Sequence, residues 1–179
     1  LNVFDENDKT KILANKYMIT EKADGERYFM FIKDKKVFLI NDNLNVIKTG
    51  LELETEDYNN SILDGELMNY INKDGKYIYE YRFFDFYIKN YKEIYTLNLN
   101  KRIEEMEELN NLLVKANKYI AEDINLFINC VRKEYYPLEK FKEIYIELMK
   151  SKNAKQNYFF DKNYFQKISN LDKNIKLFL

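Results

Sequence analysis

The sequence has 179 residues, of which 46% are hydrophobic and 33% are charged, a balance typical of a folded globular protein rather than a disordered one. Its 29 basic and 30 acidic residues give a net charge of −1, so composition provides no global electrostatic argument for nucleic-acid binding. No apolar run approaches the roughly 18 residues that span a bilayer, and the N-terminal residues lack an apolar signal core, which predicts a cytoplasmic protein without membrane contacts.

Two residue types restrict the possible chemistry. Histidine is absent, which excludes Ser-His-Asp and Cys-His catalysis and histidine metal sites. Cys130 is the only cysteine, so neither an internal disulfide nor a cysteine-rich zinc site can form. Any catalysis must therefore use lysine, arginine, carboxylate or hydroxyl side chains, with or without a cation held by oxygen ligands.

The first half of the chain is predicted to be β-structure. Short apolar or alternating runs indicate strands, and turn-forming residues separate them. The stretch LELETEDYNN, which follows Gly50, is predicted to be a polar connection, and Lys73–Lys76 is predicted to be a tight hairpin turn because it contains Asp-Gly. The predicted strands are Tyr17–Thr20, Arg27–Lys33, Val37–Asn41, Val46 to near Gly50, Ser61–Tyr70 and Tyr77–Ile88.

The second half changes to a helical period. Apolar residues at helical spacing predict an amphipathic helix over residues 97–118, and Pro137 predicts the first turn of a second helix that reaches about Lys150. Ile124–Val131 is predicted to be one more strand. Antiparallel strands followed by helices indicate an α+β fold, and no linker or repeat divides residues 1–179 into separate domains.

The stretch EKADGER, from Glu21 to Arg27, places charged residues between two predicted strands. A protonated lysine is a poor nucleophile, but partial burial and a nearby cation favour the neutral amine, so Lys22 could attack a carbonyl or a phosphorus atom. Asp24-Gly25 is predicted to turn the chain sharply, and Arg27 suits a phosphate or ribose oxygen. Taken alone, the same motif also fits an exposed hairpin turn with solvated charges, which is the commoner meaning of so short a pattern.

Two later segments contain groups that a nucleotide pocket needs. Strand alternation predicts that Glu66 of ILDGEL shares a face with Asp64, and that Tyr81, Phe83 and Asp85 of YRFFDF share a face of the partner strand. A carboxylate suits a sugar hydroxyl, and an aromatic ring suits a base. The alternative for Glu66 is an ordinary exposed glutamate, and for the aromatic residues it is core packing.

In this order, EKADGER, ILDGEL and FFDFYI resemble motifs I, III and IIIa of the covalent nucleotidyltransferases, the superfamily of mRNA capping guanylyltransferases and of DNA and RNA ligases. Within it, TEKADGERY, FLINDNLNVIKTG and ILDGELM are most similar to the capping enzymes of large DNA viruses, and TLNLNKRIEEMEEL is similar to the arginine-bearing helix that follows motif IIIa there. The resemblance covers residues 16–113. It implies a nucleotidyltransferase (ATP-grasp-like) domain, in which antiparallel sheets with flanking helices enclose a nucleotide cleft.

The resemblance also implies a two-step reaction. Lys22 would attack the α-phosphorus of GTP, release pyrophosphate and carry GMP, which would then pass to the diphosphate end of an RNA. A divalent cation, Mg²⁺ or Mn²⁺, would neutralise phosphate charge, although no ligands for it are identified. The implied partners are GTP, the RNA 5′ end and further capping domains or subunits, such as a triphosphatase, an OB-fold and a methyltransferase. The implied nucleotide-binding residues are Glu21, Asp24, Gly25, Arg27, Glu66, Tyr81, Phe83 and Phe84.

The chain departs from the family pattern in several places. Asn41-Asp42-Asn43 stands where many relatives carry an arginine for the nucleotide. Motif IV, motif V with its paired lysines and an OB-fold domain are not found, so we expect an incomplete domain with weak activity or none. Two alternatives therefore stay open, namely the adenylation domain of an ATP-dependent DNA or RNA ligase, and a non-catalytic nucleotide- or RNA-binding module of a capping complex.

Two groups of lysines are candidates for contacts with RNA phosphates. Nothing in the sequence arranges them with aromatic residues as a platform for a single strand, so we predict that both groups are solvated faces. The groups are Lys33, Lys35 and Lys36, and Lys150, Lys152 and Lys155.

Overall fold

A computed structural model describes residues 12, 17–21, 25–71, 77–120 and 128–153, with side chains except at residues 70, 71, 77, 78, 117–120 and 148–153. The chain divides into two compact units, one formed by residues 23–133 and the other by residues 1–22 together with 134–179. The helices are α1 (Leu99–Ile120) and α2 (Phe141–Asn153), and Leu138–Lys140 forms a 3₁₀ turn. The strands are β1 (Met18–Ile19), β2 (Glu26–Lys33), β3 (Lys36–Asn41), β4 (Val46–Glu52), β5 (Ser61–Ile71), β6 (Tyr77–Lys89), β7 (Lys92–Glu93), β8 (Ile128–Arg132) and β9 (Tyr136–Pro137).

The unit of residues 23–133 is built on one sheet, in which the described strands follow the order β4-β3-β2-β5-β6-β7. These neighbours are antiparallel, as the sequence predicts. β8 differs, because it pairs in parallel with β6. The helix α1 lies between these two strands in the chain, and a crossover of that length allows parallel pairing. The sheet is therefore mixed, and the prediction of purely antiparallel sheets is wrong at this one pair.

Alternation along β2 and β3 separates a core face from a partly exposed face. In β2 the buried side chains are Tyr28, Met30 and Ile32, and in β3 Val37 and Leu39 are buried. The residues between them keep partial solvent exposure. Successive side chains of a strand point to opposite sides of the sheet, so these strands have one face in the core and one face that solvent reaches.

The helix α1 covers the core face of the sheet. It contacts β4, β6 and β8, and Met106, Leu109 and Leu113 are fully buried. The amphipathic helix predicted from the apolar spacing is thereby confirmed, although it begins at Leu99 and ends at Ile120. Arg102 in its first turns donates from Nε to Asp85 Oδ1 at 2.7 Å and ties the start of the helix to β6.

The connection after Gly50 is less polar than the sequence suggests. β4 continues to Glu52, and Leu51, Leu53 and Tyr58 are at most 4% exposed. The ring of Tyr58 stacks on Phe86 with 6.4 Å between centroids. The prediction of a polar connection is therefore wrong for these three side chains. Polar residues stand between them in LELETEDYNN, but the three side chains themselves pack into the core.

Two irregularities interrupt the pairing of β5 with β6. Asp64 lies opposite Asp85, whereas Gly65 lies opposite Phe83, so Phe84 is an extra residue in β6. Ile62 lies opposite Ile88 and Leu63 opposite Phe86, so Tyr87 is a second extra residue. Bulges of this kind change the direction in which a side chain points and occur often beside functional sites. The regular alternation predicted from Tyr81 to Asp85 does not hold, because the first bulge lies between Phe83 and Asp85.

The other unit contains a two-stranded sheet and a helix. β1 pairs antiparallel with β9, and Thr20 Oγ1 donates to the carbonyl oxygen of Glu134 at 2.6 Å. The strand at Tyr17–Thr20 and the second helix are confirmed, although Pro137 belongs to β9 and α2 begins at Phe141. No helix in the described residues has the length and apolarity that crossing a membrane requires.

Parts of the predicted structure lie outside the described residues. These parts are the hairpin turn at Lys73–Lys76 and the first residues of the strand predicted at Ile124–Val131. The described end of that strand, β8, confirms its existence.

Candidate functional site

The centre of the candidate site is an ion pair between β2 and β5. Arg27 donates to Asp64 twice, from Nε to Oδ1 at 2.9 Å and from Nη2 to Oδ2 at 2.6 Å. The Asp64 side chain is 2% exposed, whereas that of Arg27 is 52% exposed. A buried carboxylate thus holds a half-exposed guanidinium in one orientation, and bidentate geometry fixes its plane. The hydrogen bond to Asp64 raises the pKa of Arg27 above its ordinary value, so the group is a permanent cation.

Tyr87 is the third member of this cluster. Its hydroxyl donates to Asp64 Oδ2 at 2.9 Å, so both carboxylate oxygens of Asp64 are engaged. Burial, followed by the hydrogen bond to Asp64, raises the pKa of Tyr87 to about 12, and the phenol remains a donor at neutral pH. Phe29 lies beside both groups, with Arg27 Cζ 5.3 Å from its ring centroid and the ring of Tyr87 at 6.3 Å.

Glu66 lies between two arginine positions in the sheet. In β5, Glu66 lies opposite Arg27 of the neighbouring strand β2 and opposite Arg82 of the other neighbouring strand, β6. Directly opposed residues in a sheet have Cβ atoms only about 5 Å apart, so a carboxylate here borders two cations. Arg82 is itself held by the buried Glu80, which also accepts from Asn129 Nδ2 at 3.3 Å. The prediction that Glu66 shares the face of Asp64 agrees with this register.

The aromatic candidates separate into core and partly exposed residues. Tyr81 and Phe83 are fully buried, and the Tyr81 hydroxyl donates to the carbonyl oxygen of Tyr28 at 2.9 Å. Phe84, the residue added by the first bulge, keeps partial exposure. Lys133 Nζ lies 5.4 Å from the centroid of the Phe84 ring. Of the three predicted base-stacking positions, Phe84 is therefore the one whose ring reaches the surface.

Gly25 lies at a bend just before β2, and the approach of a second strand gives another reason for glycine at this position. A Cβ at this position would clash with the backbone carbonyl of Leu67 in β5. Among the described glycines, only Gly50 has a positive φ, at 85°. Glycine is needed at position 25 because two backbones approach closely there, and not because the chain adopts a left-handed conformation.

The position predicted to lack an arginine is occupied by a structural asparagine. Asn41 is 7% exposed, and its Oδ1 accepts hydrogen bonds from the backbone N–H groups of Asn43 and Asn45. Its Nδ2 donates to Glu26 Oε1 at 3.1 Å, next to Arg27. Asn41 therefore shapes the β3–β4 turn instead of offering a cation to a ligand.

Some predicted residues cannot be placed with this group. Lys22 and Asp24 lie outside the described residues. Glu21 belongs to the other unit, where it follows β1 and is partly exposed. The described residues that the structure brings together on β2, β5 and β6 are Arg27, Asp64, Glu66 and Tyr87, with Phe84 on the same strand as Tyr87.

Three residues of the site, Asp64, Tyr87 and Lys133, were not predicted as site residues. Tyr87 follows the motif FFDF, and the residue added at Phe84 shifts Asp85 and the residues after it in register, so that Tyr87 reaches Asp64. Lys133 is 4% exposed, and its proximity to Phe84 depends on the parallel pairing of β8 with β6. The FFDFY run, with more aromatic residues than one strand face needs, is the one sequence signal that could have indicated Tyr87.

Comparison with known proteins identifies the family. The model of the mRNA capping enzyme catalytic domain matches residues 3–170. A probable mRNA-capping enzyme of Acanthamoeba polyphaga mimivirus is 30% identical over 131 residues, which are 71% of this chain and 11% of that protein. A solved structure titled Pmar-Lig_Pre. is 22% identical, covers 84% of this chain and 38% of its own, and has a TM-score of 0.41. The chain thus spans about a tenth of the curated relative it matches, and it belongs to the family of mRNA capping enzyme catalytic domains.

Proposed function

We propose that this chain is the nucleotidyltransferase part of an mRNA guanylyltransferase. The family match over residues 3–170 is the observation that carries the proposal. In the proposed reaction, Lys22 attacks the α-phosphorus of GTP, forms a phosphoamide bond to GMP and releases pyrophosphate. The 5′-diphosphate oxygen of an RNA then attacks the same phosphorus atom, and the lysine amine leaves.

The Arg27 cluster would hold the nucleotide during this reaction. A half-exposed guanidinium fixed by Asp64 is oriented toward an oxygen of the ribose or phosphate without losing side-chain freedom on binding. Glu66, opposite Arg27, would accept a hydrogen bond from a ribose hydroxyl or from the attacking amine. Phe84 would stack on the base, and Asp24, Gly25 and Glu21 remain proposed members of the site.

A divalent cation, Mg²⁺ or Mn²⁺, is part of the proposal. Within the described ranges there is no group of three or more acidic, cysteine or histidine side chains that could hold a metal. The phosphate oxygens of GTP would provide ligands for the cation, as they commonly do for Mg²⁺. On the basis of the family match we also propose an ATP-grasp-like cleft, a cytoplasmic location and further capping domains or subunits.

The nucleotide that labels the protein tests this function. We expect α-labelled GTP with Mg²⁺ or Mn²⁺ to give a covalently labelled band on a denaturing gel, and α-labelled ATP to give none. The longest natural form of the protein should be used beside the 179-residue chain, because the chain spans about a tenth of its relative. Label from ATP alone would contradict the guanylyltransferase assignment and favour a ligase, and no label from either nucleotide would favour a non-catalytic module.

Asp64→Asn tests the role of the arginine cluster. The substitution keeps the size of the side chain but removes the charge that holds Arg27 and accepts from Tyr87. Hydrogen bonds to charged groups contribute about 1.5 to 3 kcal/mol, and because Arg27 is half exposed we expect a loss of about 1 to 2 kcal/mol in the free energy of unfolding. Covalent labelling by GTP should fall by about tenfold or more, because Arg27 loses its orientation.

Two variants calibrate this result. Tyr87→Phe removes one donor and keeps the Arg27–Asp64 pair, so we expect a smaller decrease in labelling, about threefold. Asp57→Asn makes the same chemical change in an exposed loop, where Asp57 accepts from Thr55, and should leave labelling unchanged. Equal labelling by the Asp64→Asn and Asp57→Asn variants would show that the cluster does not contribute to nucleotide binding.

A further inference from the structure

The partly exposed face of β2, β3 and β4 combines aromatic residues with lysines. Register places Phe31 opposite Phe38, and Lys33 opposite Lys36, in the β2–β3 hairpin. Phe38 in turn lies opposite Lys48 of β4. We call this set the β2–β4 face, and its members are Phe29, Phe31, Lys33, Lys36, Phe38, Ile40 and Lys48.

Solvent reaches this face of the sheet. The three lysines are exposed, and the phenylalanines and Ile40 are partly exposed, whereas the alternate residues of β2 and β3 are buried. Val46, opposite Ile40 on the same face, is 60% exposed. A continuous apolar surface of partly exposed aromatic rings on two adjacent strands indicates an interaction site.

The charges of the face indicate the chemistry of that partner. Within β2–β4, Glu52, which lies opposite Lys36, is the one carboxylate that register places on this side of the sheet. Three lysines therefore surround the rings with a net positive charge, although the whole chain has a net charge of −1. Lysine is depleted from the centres of protein–protein interfaces, whereas lysines interleaved with aromatic rings are the pattern that binds single-stranded nucleic acid.

The face is continuous with the nucleotide site. Phe29 belongs to the same side of β2, and the guanidinium of Arg27 lies 5.3 Å from its ring centroid. The ring of Tyr87 also lies beside Phe29, with 6.3 Å between the ring centroids. A chain bound along Phe38, Phe31 and Phe29 therefore ends at the ion pair of Arg27 and Asp64.

We infer that the β2–β4 face binds the single-stranded 5′ segment of the RNA substrate. Bases stack on Phe31 and Phe38, the phosphates contact Lys33, Lys36 and Lys48, and the 5′ end points toward Arg27. The identity of the ligand as the acceptor RNA rests on the proposed function, whereas the binding of a single strand rests on the geometry of the face alone. The hairpin explains why the pattern is hidden in the sequence, since its turn brings Phe38 and Lys36 beside residues that precede them in the chain.

Fluorescence anisotropy with a labelled single-stranded RNA of about ten nucleotides tests this inference in the full chain. Phe31→Leu/Phe38→Leu keeps apolar bulk but removes both aromatic faces, and we expect the Kd to rise about fivefold or more. Lys33→Gln/Lys36→Gln/Lys48→Gln should weaken binding and reduce the slope of log K against log salt by about 2, since each lost phosphate contact removes about 0.7 for a single strand. Thermal unfolding of each variant checks that the fold is intact.

A matched variant separates a local effect from a change in total charge. Lys92→Gln/Lys101→Gln/Lys115→Gln removes the same number of exposed lysines from β7 and α1, and should leave affinity and salt slope close to those of the unaltered protein. The inference is overturned if the unaltered chain does not bind the RNA, or if the two triple variants bind equally well. It is also overturned if the phenylalanine variant changes only self-association in light scattering, which would indicate a protein partner.

The same samples distinguish this inference from the proposed function. Covalent labelling by GTP does not require RNA, so it is measured on the unaltered protein alone. Binding of RNA through this face without any label would support the face and contradict guanylyl transfer. Labelling by GTP, together with RNA binding that neither the phenylalanine variant nor the lysine variant changes, would support guanylyl transfer and contradict RNA binding through this face.

Discussion

Lys22→Ala is expected to abolish covalent labelling by GTP, a decrease of at least about 1,000-fold. The phosphoamide bond needs an amine nucleophile, and alanine provides no atom that can form it. Lys22→Arg should be equally inactive although it keeps the positive charge, because a guanidinium remains protonated and cannot attack phosphorus. Gel detection of label from α-labelled GTP in the longest natural form of the protein measures both variants.

The control for this prediction is Lys101→Ala on the exposed side of α1, which should retain full labelling. Label that persists in Lys22→Ala would mean that another residue is the nucleophile, and the proposed role of the EKADGER motif would be wrong. Loss of label in Lys22→Ala with retention in Lys22→Arg would indicate that the charge of residue 22, and not its nucleophilicity, is what the reaction needs.

Gly65→Ala is expected to lower the free energy of unfolding by about 3 kcal/mol, at the upper end of the range for overpacking. A Cβ at Gly65 would lie 2.5 Å from Cζ and Oη of Tyr81 and 2.6 Å from the carbonyl oxygen of Arg82. Neither neighbour can move easily, because Tyr81 is fully buried and bonded to Tyr28, and the Arg82 carbonyl is part of the sheet. Urea denaturation of both proteins measures the difference.

A double-mutant cycle identifies the cause of that loss. Tyr81→Phe removes the hydroxyl that the new Cβ would meet, so Gly65→Ala should cost less in the Tyr81→Phe background than alone. Gly50→Ala is the comparison variant, because its site has φ 85° and nothing within 4 Å of the added Cβ. We expect only the strain of the left-handed conformation there, about 1 kcal/mol. Strict additivity in the cycle would exclude the clash with the Tyr81 hydroxyl as the cause.

Local pattern was sufficient to predict most elements of the fold. Strand alternation in β2 and β3 and the apolar spacing of α1 depend on residues that are close in the chain, so the signals survive without knowledge of the tertiary structure. The parallel pairing of β8 was not predicted, because pairing between distant strands depends on packing that no local pattern records. The burial of Leu53 and Tyr58 was missed for the same reason.

In the candidate site, too, local motifs identified residues, whereas long-range pairing determined which of them meet. Arg27 and Glu66 were identified because they belong to motifs, but their positions opposite each other depend on the register of β2 and β5. Asp64 was named only as a neighbour of Glu66, and its ion pair with Arg27 joins residues 37 positions apart. Tyr87 was not predicted, because regular alternation from Tyr81 would place it on the core face, whereas the added residue Phe84 shifts the residues after it to the face of Asp64.

The two bulges of β6 also constrain how this strand can change in evolution. Each added residue reverses which side chains face the core, and the second reversal, at Tyr87, cancels the first, at Phe84. Odd-numbered residues of β6 therefore lie opposite odd-numbered residues of β5 before the bulges, as Tyr81 does with Leu67, and even-numbered residues lie opposite even-numbered ones after them, as Ile88 does with Ile62, so the phase is restored. Deleting one of the two residues would turn one end of the strand inside out, whereas deleting both would preserve the core and remove the site. We therefore expect related chains to contain both added residues or neither, so that the length of this part of β6 differs by two residues or not at all.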